Sequence, residues 1–521
     1  MKTNLEMHWY FISISALSAL LVLIVSFSFE IFQYGDNCGY MSLGIAFAQG
    51  RGFIDPALPG SHHFLWWPPG FPLFIALFVR IFGTHWYVLK FVLFLLIYVS
   101  FTLYALMLYK EEREIVKPAL ILSALCFSSG IHLLSSYLYS ETFYIATTLF
   151  FFFLWYFWKG NLTILRVLLL SVFAVYISSI RLLGVSLPAA LTIYLLFFAG
   201  EKRNTRWYAV VPGLLLCLFV VVSLFFPPLR VGSLRAAFGL HPLFGSVIAG
   251  GAVDNGVTAM DIIIRYGSKA VKFLCGYGLT LIPQAVIRST YDLYDMNKIK
   301  ALAMAVVTGI VITGYVRSFK RITLIQLYVL CYMGILFIYG PLYVRLVVPI
   351  IPFLFLYLYT GLDTISTIIV KRRLFSVGVV CVLWAGIIGD NALRTLTNPH
   401  FTMPPRYGDS RFQNCIEWIV KNVESGITVA CQTHSYLYLR RGPYCVPVHG
   451  AETVNEFMAY LDMNTIKYIV VSDFYHRPHE TYMNKVKEAV EVYPDNFREV
   501  FGGRGDTSYI LEHIFSPNGR Q

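Results

Sequence analysis

Among the ionisable side chains within or beside the long apolar runs of this sequence are Asp36, His132, Glu141, Arg181 and Arg345. A charge at membrane depth is costly, so each of them needs a reason. Taken singly, each reads as an interfacial charge snorkelling to water or as half of a structural ion pair. Taken together they hold more chemistry, because carboxylates accept protons and bind hydroxyls while guanidinium forks match phosphate oxygens. Whether they act together depends on whether the chain brings them to one face of a membrane.

The composition makes lipid the solvent of most of the chain. Of 521 residues 57% are hydrophobic and 13% charged, against about 25% charged in an ordinary soluble domain. The net charge of +12 is not a nucleic-acid footprint, since the basic residues cluster in short breaks between apolar runs and so record membrane orientation. The nine cysteines show no metal-ligand spacing. Cys415, Cys431 and Cys445 share the polar tail, where an oxidising compartment would permit one disulfide. The uncharged stretch Trp9 to Phe29 lacks a small-residue cleavage site and is expected to be an uncleaved first span.

The basic breaks Lys110 to Lys117, Lys159 to Arg166, Lys202 to Arg206, Arg317 to Arg321 and Lys371 to Arg373 are expected to be cytoplasmic. The runs Pro118 to Trp158 and Val167 to Phe198 are too long for one span of roughly 20 residues and fit two. Each is therefore predicted to be a helical hairpin with an outward turn, at Ser128 to Glu141 and at Ile177 to Pro188. Further spans follow at Trp207 to Phe226, around Val311, at Leu324 to Tyr339, at Val344 to Leu362 and at Leu374 to Ile388. The total is about eleven spans. Parity holds if Pro69 to Gly83 and Ala270 to Ile287 lie along the outer surface as juxtamembrane helices. It then puts all five ionisable groups and the C-terminal tail on the outer face.

The expected architecture is mainly α: a polytopic transmembrane helical bundle over 1–392, with a first outer loop at 30–84, then a small extracytoplasmic α/β domain over 393–521. In that domain Phe412 to Val423, Val454 to Leu461 and Tyr482 to Val492 have helical spacing, and Ile427 to Cys431 and Tyr468 to Ser472 read as buried strands. Phe497 to Ile514, interrupted by Gly502, Gly503 and Gly505, reads as a hairpin. The adhesion-like Arg504-Gly505-Asp506 is read as its tip. No tandem or inverted repeat is present.

The first outer loop carries two local patterns. Tyr40 to Gln49 is predicted to be a short amphipathic helix begun by Asp36 or Asn37 and ended by Gly50 and Gly52. Trp66-Trp67-Pro68-Pro69-Gly70-Phe71-Pro72 opens the surface segment that follows, with Trp at the headgroup level.

In this order and spacing, Gly35-Asp36, Tyr40, Ala46, Gly50, Gly52-Phe53 and Pro68-Pro69-Gly70-Phe71-Pro72-Leu73 resemble the first outer loop of the GT-C membrane glycosyltransferases. The similarity is to the branch of protein O-mannosyltransferases and aminoarabinose transferases. Ser140-Glu141, Arg181-Leu182-Leu183-Gly184 and Arg345 to Pro352 extend it. Lys467 to Val471 and Tyr493-Pro494-Asp495 are similar to the terminal domain of bacterial members. The family's acidic pair is Asp36-Asn37 here, a single carboxylate, which argues against a metal requirement of the oligosaccharyltransferase kind.

The resemblance implies an enzyme that transfers a sugar from a polyprenyl-phosphate donor, with inversion, to a lipid, protein or glycan acceptor outside the cell, in a bacterial inner membrane. It implies Asp36 as general base, and Arg345 and Arg181 on the donor phosphate with Glu141 orienting an arginine or holding sugar hydroxyls. Tyr40, His62, His63 and Trp66 are placed at the acceptor entrance. The expected partners are the lipid-linked donor, the acceptor and membrane lipids, with no nucleic acid, no metal ligands and no required cofactor. The alternatives are an oligosaccharyltransferase or ligase, and a transporter of lipid-linked sugars.

Overall fold

The computed structural model describes residues 2–27, 29, 31, 36–57, 67–198, 206–225, 298–320, 322–338, 346–370, 373–397, 410–442, 444–447, 453–472, 480–502 and 508–514. They form two compact units, one of Met1–Phe27, Leu65–Phe71 and Val88–Thr402, the other of Ser28–Phe64, Pro72–Tyr87 and Met403–Gln521.

The first unit is helical and apolar. Its helices are α1 (Lys2–Val25), α4 (Trp86–Glu112), α5 (Val116–Cys126), α6 (Ser129–Ser136), α7 (Ser140–Trp158), α8 (Ile164–Ile180), α9 (Ser186–Phe197), α10 (Val210–Phe225), α11 (Lys298–Arg317), α12 (Leu324–Ile338), α13 (Ile351–Val370) and α14 (Arg373–Thr397). Among the described residues four stretches, His8–Val25, Trp86–Glu112, Val348–Ile369 and Gly378–Thr397, are long and apolar enough to cross a membrane. Leu17, Ile24, Leu165, Leu169, Ile368 and Ile369 each present half or more of their surface. Water would penalise such faces and lipid would not, so these are the helices of an integral membrane protein.

The predicted hairpin over Val167 to Phe198 is present, with α8 packed on α9 and its turn at Arg181 through the 3-10 segment Leu182–Val185. The predicted hairpin over Pro118 to Trp158 differs: α6 separates the 11-residue α5 from α7, and α5 packs on α1, α13 and α14 while α7 packs on α8. The predicted span at Val344 to Leu362 is displaced: Val348–Ile350 forms a 3-10 turn, and α13 then runs on to Val370 because the apolar pattern continues past Asp363. Ala270 to Ile287 lies outside the described residues.

Aromatic rings lock four of these helices together. Phe152 of α7 lies 5.2 Å from Phe353 of α13 and 5.4 Å from Tyr328 of α12, and Tyr104 of α4 meets Phe353 edge-on at 5.7 Å. Such offset and edge contacts add about 0.5–1.5 kcal/mol each beyond buried area. Between α11 and α13 small residues add close backbone contact beside the Tyr315–Tyr357 ring pair at 5.0 Å. A Cβ on Gly314 would collide with the Tyr357 carbonyl, and one on Gly361 with the Ile310 carbonyl. Lipid gives no hydrophobic drive between helices, so close backbone approach supplies the dispersion contact.

The second unit contains α2 (Asp36–Ala48), most of α3 (Gly70–Phe82), and the C-terminal α/β fold of α15 (Ser410–Asn422), β1 (Thr428–Cys431), α16 (His434–Arg441), β2 (Cys445–Val446), α17 (Val454–Met463), β3 (Ile466–Ser472), α18 (Glu480–Val492), β4 (Phe497–Phe501) and β5 (Ser508–His513). The sheet has the order β2-β1-β3-β5-β4, parallel across β2, β1 and β3 and antiparallel across β3, β5 and β4. Its core gathers Phe457, Leu461, Ile469, Val471, Val486 and Leu511, all 0% exposed. Helix α17 starts with a capping box, Thr453 accepting from the Glu456 N–H and the Glu456 carboxylate accepting from the Thr453 N–H.

The helix predicted at Tyr40 to Gln49 begins at Asp36 and is not amphipathic. Residues Asn37 through Ala46 are all buried, with α16 packed on one flank and α3 approaching closely at Gly44. A Cβ on Gly44 would lie 2.6 Å from Ile75 Cβ, so the contact with α3 requires glycine there. The end is as expected: Gly50 and Gly52 take φ of +73° and +79°, and Arg51 N–H returns to Ala46 O at 3.0 Å. Helix α16 and strand β2 were not predicted. Arg504, Gly505 and Asp506 lie outside the described residues.

Candidate functional site

In the first unit the polar residues converge on the start of α7 and the turn between α8 and α9. Helix α8 ends at Ile180, and Arg181 takes an extended conformation, φ −146° and ψ 138°, which points the chain out of the helix. The turn behind it is tight, since a Cβ on Gly184 would lie 2.7 Å from the Ile177 carbonyl oxygen. Gly70, the glycine of the Pro-Pro-Gly motif, packs on the same helix end. A Cβ there would lie 2.7 Å from the Ser179 carbonyl carbon and 2.8 Å from Ile180 N, and the Tyr176 hydroxyl donates to Gly70 O at 3.3 Å.

The guanidinium held in this way meets the first turn of α7. Arg181 Nη1 is 2.7 Å from Glu141 Oε1 and donates to Ser140 Oγ at 3.1 Å. The side chains are 13% and 3% exposed, so the pair is largely desolvated. Glu141 stands at the N-terminal end of α7, where the helix dipole favours a negative charge. Beyond it the Tyr144 and Tyr328 hydroxyls are 2.9 Å apart, and the Tyr332 hydroxyl donates to Leu346 O at 2.7 Å. Arg345 lies outside the described residues.

His132, grouped with these residues in the sequence, is a separate structural element. Its Nε2 lies 2.6 Å from Cys126 O and 3.3 Å from the Tyr98 hydroxyl. Burial pushes the imidazole down to about 4, so it stays neutral near pH 7.

In the second unit Asp36 is the half-buried first residue of α2, and Tyr40 one turn later is 5% exposed. The helix N-terminus favours a carboxylate at Asp36. His62, His63 and Trp66 lie outside the described residues. Among the described residues no group of three or more His, Cys, Asp or Glu side chains is placed to hold a metal.

Two features escaped the sequence reading. Lys90, in the first turns of α4, is 1% exposed with its Nζ 5.6 Å from the Phe27 ring centre, a buried cation that its isolation in an apolar run should have flagged. Asp55 Oδ2 lies 3.2 Å from His434 Nε2, and Asp55 Oδ1 accepts the Ala57 N–H at 3.0 Å. Nothing in one sequence couples two positions so far apart.

No family model and no curated protein matches the sequence. Solved structures do match the fold. ArnT from Cupriavidus metallidurans, in the apo state, aligns over 98% of both chains at 11% identity with a TM-score of 0.57. The chain has the GT-C fold. ArnT bound to undecaprenyl phosphate gives a TM-score of 0.55 at 11% identity, over 98% of this chain and 99% of that one. The archaeal oligosaccharyltransferase AglB from Archaeoglobus fulgidus, in complex with an inhibitory peptide and a dolichol-phosphate, gives 0.58 at 12% identity, over 98% of this chain and 75% of that one. The mainly helical architecture with a small C-terminal mixed sheet is thus shared with ArnT and AglB.

Proposed function

We propose that this protein is a glycosyltransferase that moves a sugar from a polyprenyl-phosphate donor to an acceptor on the extracytoplasmic face of a bacterial inner membrane. The observation that carries the reading is the Glu141–Arg181 pair, a guanidinium held in place at the turn of an apolar hairpin in a fold shared with a protein solved with undecaprenyl phosphate. Arginine stays charged at low dielectric and suits phosphate oxygens, and it stabilises a phosphate that gains charge as it leaves. Glu141 fixes its orientation.

In this reading Asp36 takes the proton of the acceptor hydroxyl as that oxygen attacks the anomeric carbon from the face opposite the phosphate. The bond from carbon to phosphate oxygen breaks, the configuration inverts, and the polyprenyl phosphate leaves without needing a general acid. Arg345 joins Arg181 on the phosphate, and Tyr40, His62, His63 and Trp66 line the acceptor entrance. Incubating membranes that contain the protein with radiolabelled polyprenyl-phosphate sugars, and asking whether lipid, protein or glycan becomes labelled, tests the reading. Arg345→Ala should raise the donor concentration needed, and an unchanged donor dependence would remove it from the phosphate site.

The similarity to AglB supports a second reading, transfer of a whole glycan to a peptide. Loss of activity on removing divalent metal, together with en bloc transfer, would favour it over transfer of one sugar.

A further inference from the structure

The second unit holds a group of arginines that the transferase reading does not use. Arg440 and Arg441 line a pocket of about 240 Å³ together with Ile45, Thr84, Trp86 and Tyr438. Arg51 reaches the same place, its Nη2 donating to the Tyr438 hydroxyl at 3.4 Å and its Nε to Gln49 Oε1 at 2.9 Å. Arg80 Nε donates to Ala48 O at 3.2 Å, one turn beyond Ile45 on α2. Arg441 Nη2 donates to the Ile427 carbonyl at 2.8 Å and to that of Glu424. All these partners are neutral. Among the described residues none of the four arginines pairs with a carboxylate. Asp55, whose charge reaches Tyr438, is itself engaged by His434 and the Ala57 N–H. The pocket is therefore electropositive, and its walls offer the donors an anion needs.

An apolar surface runs up to it. On α3, Leu73, Leu77 and Ile81 recur every fourth residue and are 40%, 59% and 64% exposed, with Phe82 at 51%. The helix stops at Gly83, φ +76°, and the chain passes directly into the pocket wall at Thr84 and Trp86. Tryptophan beside a row of exposed aliphatic side chains is the usual arrangement at the headgroup level of a bilayer. The volume is below the roughly 300–1,000 Å³ of pockets for drug-sized molecules, enough for a phosphate and a short polar group but not for a glycan.

We propose that this pocket binds the phosphate headgroup of an anionic membrane lipid, with the acyl chain lying along Leu73, Leu77 and Ile81. Arg440 and Arg441 make charge-assisted hydrogen bonds to the phosphate, as guanidinium groups do most strongly out of bulk water. The site lies within the second unit, and the proposal does not rest on the transferase reading, because its test measures binding and not turnover.

The full-length protein in a neutral detergent, titrated with short-chain phosphatidylglycerol, phosphatidylcholine and glycerol 3-phosphate and followed by native mass spectrometry, tests it. Saturable binding of phosphatidylglycerol is expected, with the other two at least tenfold weaker. Arg440→Gln should weaken phosphatidylglycerol about tenfold, the loss of one charged hydrogen bond. Arg440 is exposed, so the variant should fold as the parent does; Leu77→Gln tests the apolar arm independently and should weaken the lipid but not glycerol 3-phosphate. Equal affinity for phosphatidylcholine and phosphatidylglycerol, or unchanged phosphatidylglycerol binding in both variants, would overturn the proposal. Glycerol 3-phosphate binding as tightly as the lipid would do so too, by assigning the pocket to a soluble anion.

Discussion

Glu141 Oε1 in the first turn of α7 and Arg181 Nη1 at the end of α8 stand 2.7 Å apart, each side chain largely removed from solvent. Removing one partner of a buried pair leaves an uncompensated charge and costs about 3–5 kcal/mol, whereas removing both costs less. Glu141→Gln and Arg181→Gln should therefore each lower the unfolding temperature clearly in detergent, and the double variant should fall short of their sum. Additive losses in that cycle would show that the two groups do not depend on each other.

Gly70 makes a second, sharper test. A methyl group there would press on the Ser179 carbonyl and Ile180 N, backbone atoms that cannot rotate away, immediately before Arg181. Gly70→Ala should cost about 1–3 kcal/mol of stability. Gly334→Ala, where nothing lies within 4 Å of the new carbon, is the control and should be neutral or stabilising. Equal unfolding temperatures for the two variants would remove Gly70 from the packing of the α8 end.

Much of this was legible because lipid enforces simple rules. The helix breaks at Ser128 to Glu141 and Ile177 to Pro188 follow from run length and basic breaks, but only α8 and α9 close into the expected hairpin, because α5 finds its partners in α1, α13 and α14. Gly50 and Gly52 ended α2 as their left-handed backbone requires. The all-round burial of α2 was not legible, because periodicity reports one covered face and cannot see two flanking helices. Helix α16 was missed because its apolar residues are one short run, Tyr436 to Leu439, followed by Arg440 and Arg441. The Asp55–His434 contact and the pocket at Arg440 depend on that helix and were lost with it.

Cys431 and Cys445 of the C-terminal fold are free thiols, each 0% exposed. Burial pushes Cys431 up to about 11 and Cys445 up to about 12, so near pH 8 almost no thiolate is present at either. Maleimide should leave both unlabelled in the folded protein and label them quickly in denaturant, as peptide mass spectrometry would read. Prompt labelling of the folded protein would contradict their burial.

His513 gives the C-terminal fold an acid weakness. Its side chain is buried on β5, 3.1 Å from Ile466 O, and burial holds the imidazole below its usual value of 6.5. The unfolded chain then takes up a proton below pH 6.5 that the folded chain resists. Stability is full above that pH and falls as pH drops toward the folded value, by at most about 1.4 kcal/mol per pH unit. Denaturant midpoints of the full chain between pH 7.5 and 5 should fall less steeply for His513→Gln than for the parent. Parallel curves would assign the acid loss to other groups.

The central claim is tested most directly by donor turnover in Asp36→Asn. This substitution keeps the size of the first side chain of α2 and removes the base. Purified parent protein, supplied with a panel of polyprenyl-phosphate sugars and a membrane extract as acceptor, should consume one donor and release polyprenyl phosphate. The variant should bind that donor equally well and turn it over about 10²–10⁴-fold more slowly. Near-normal turnover by Asp36→Asn, or a parent protein that leaves every donor intact, would contradict the account.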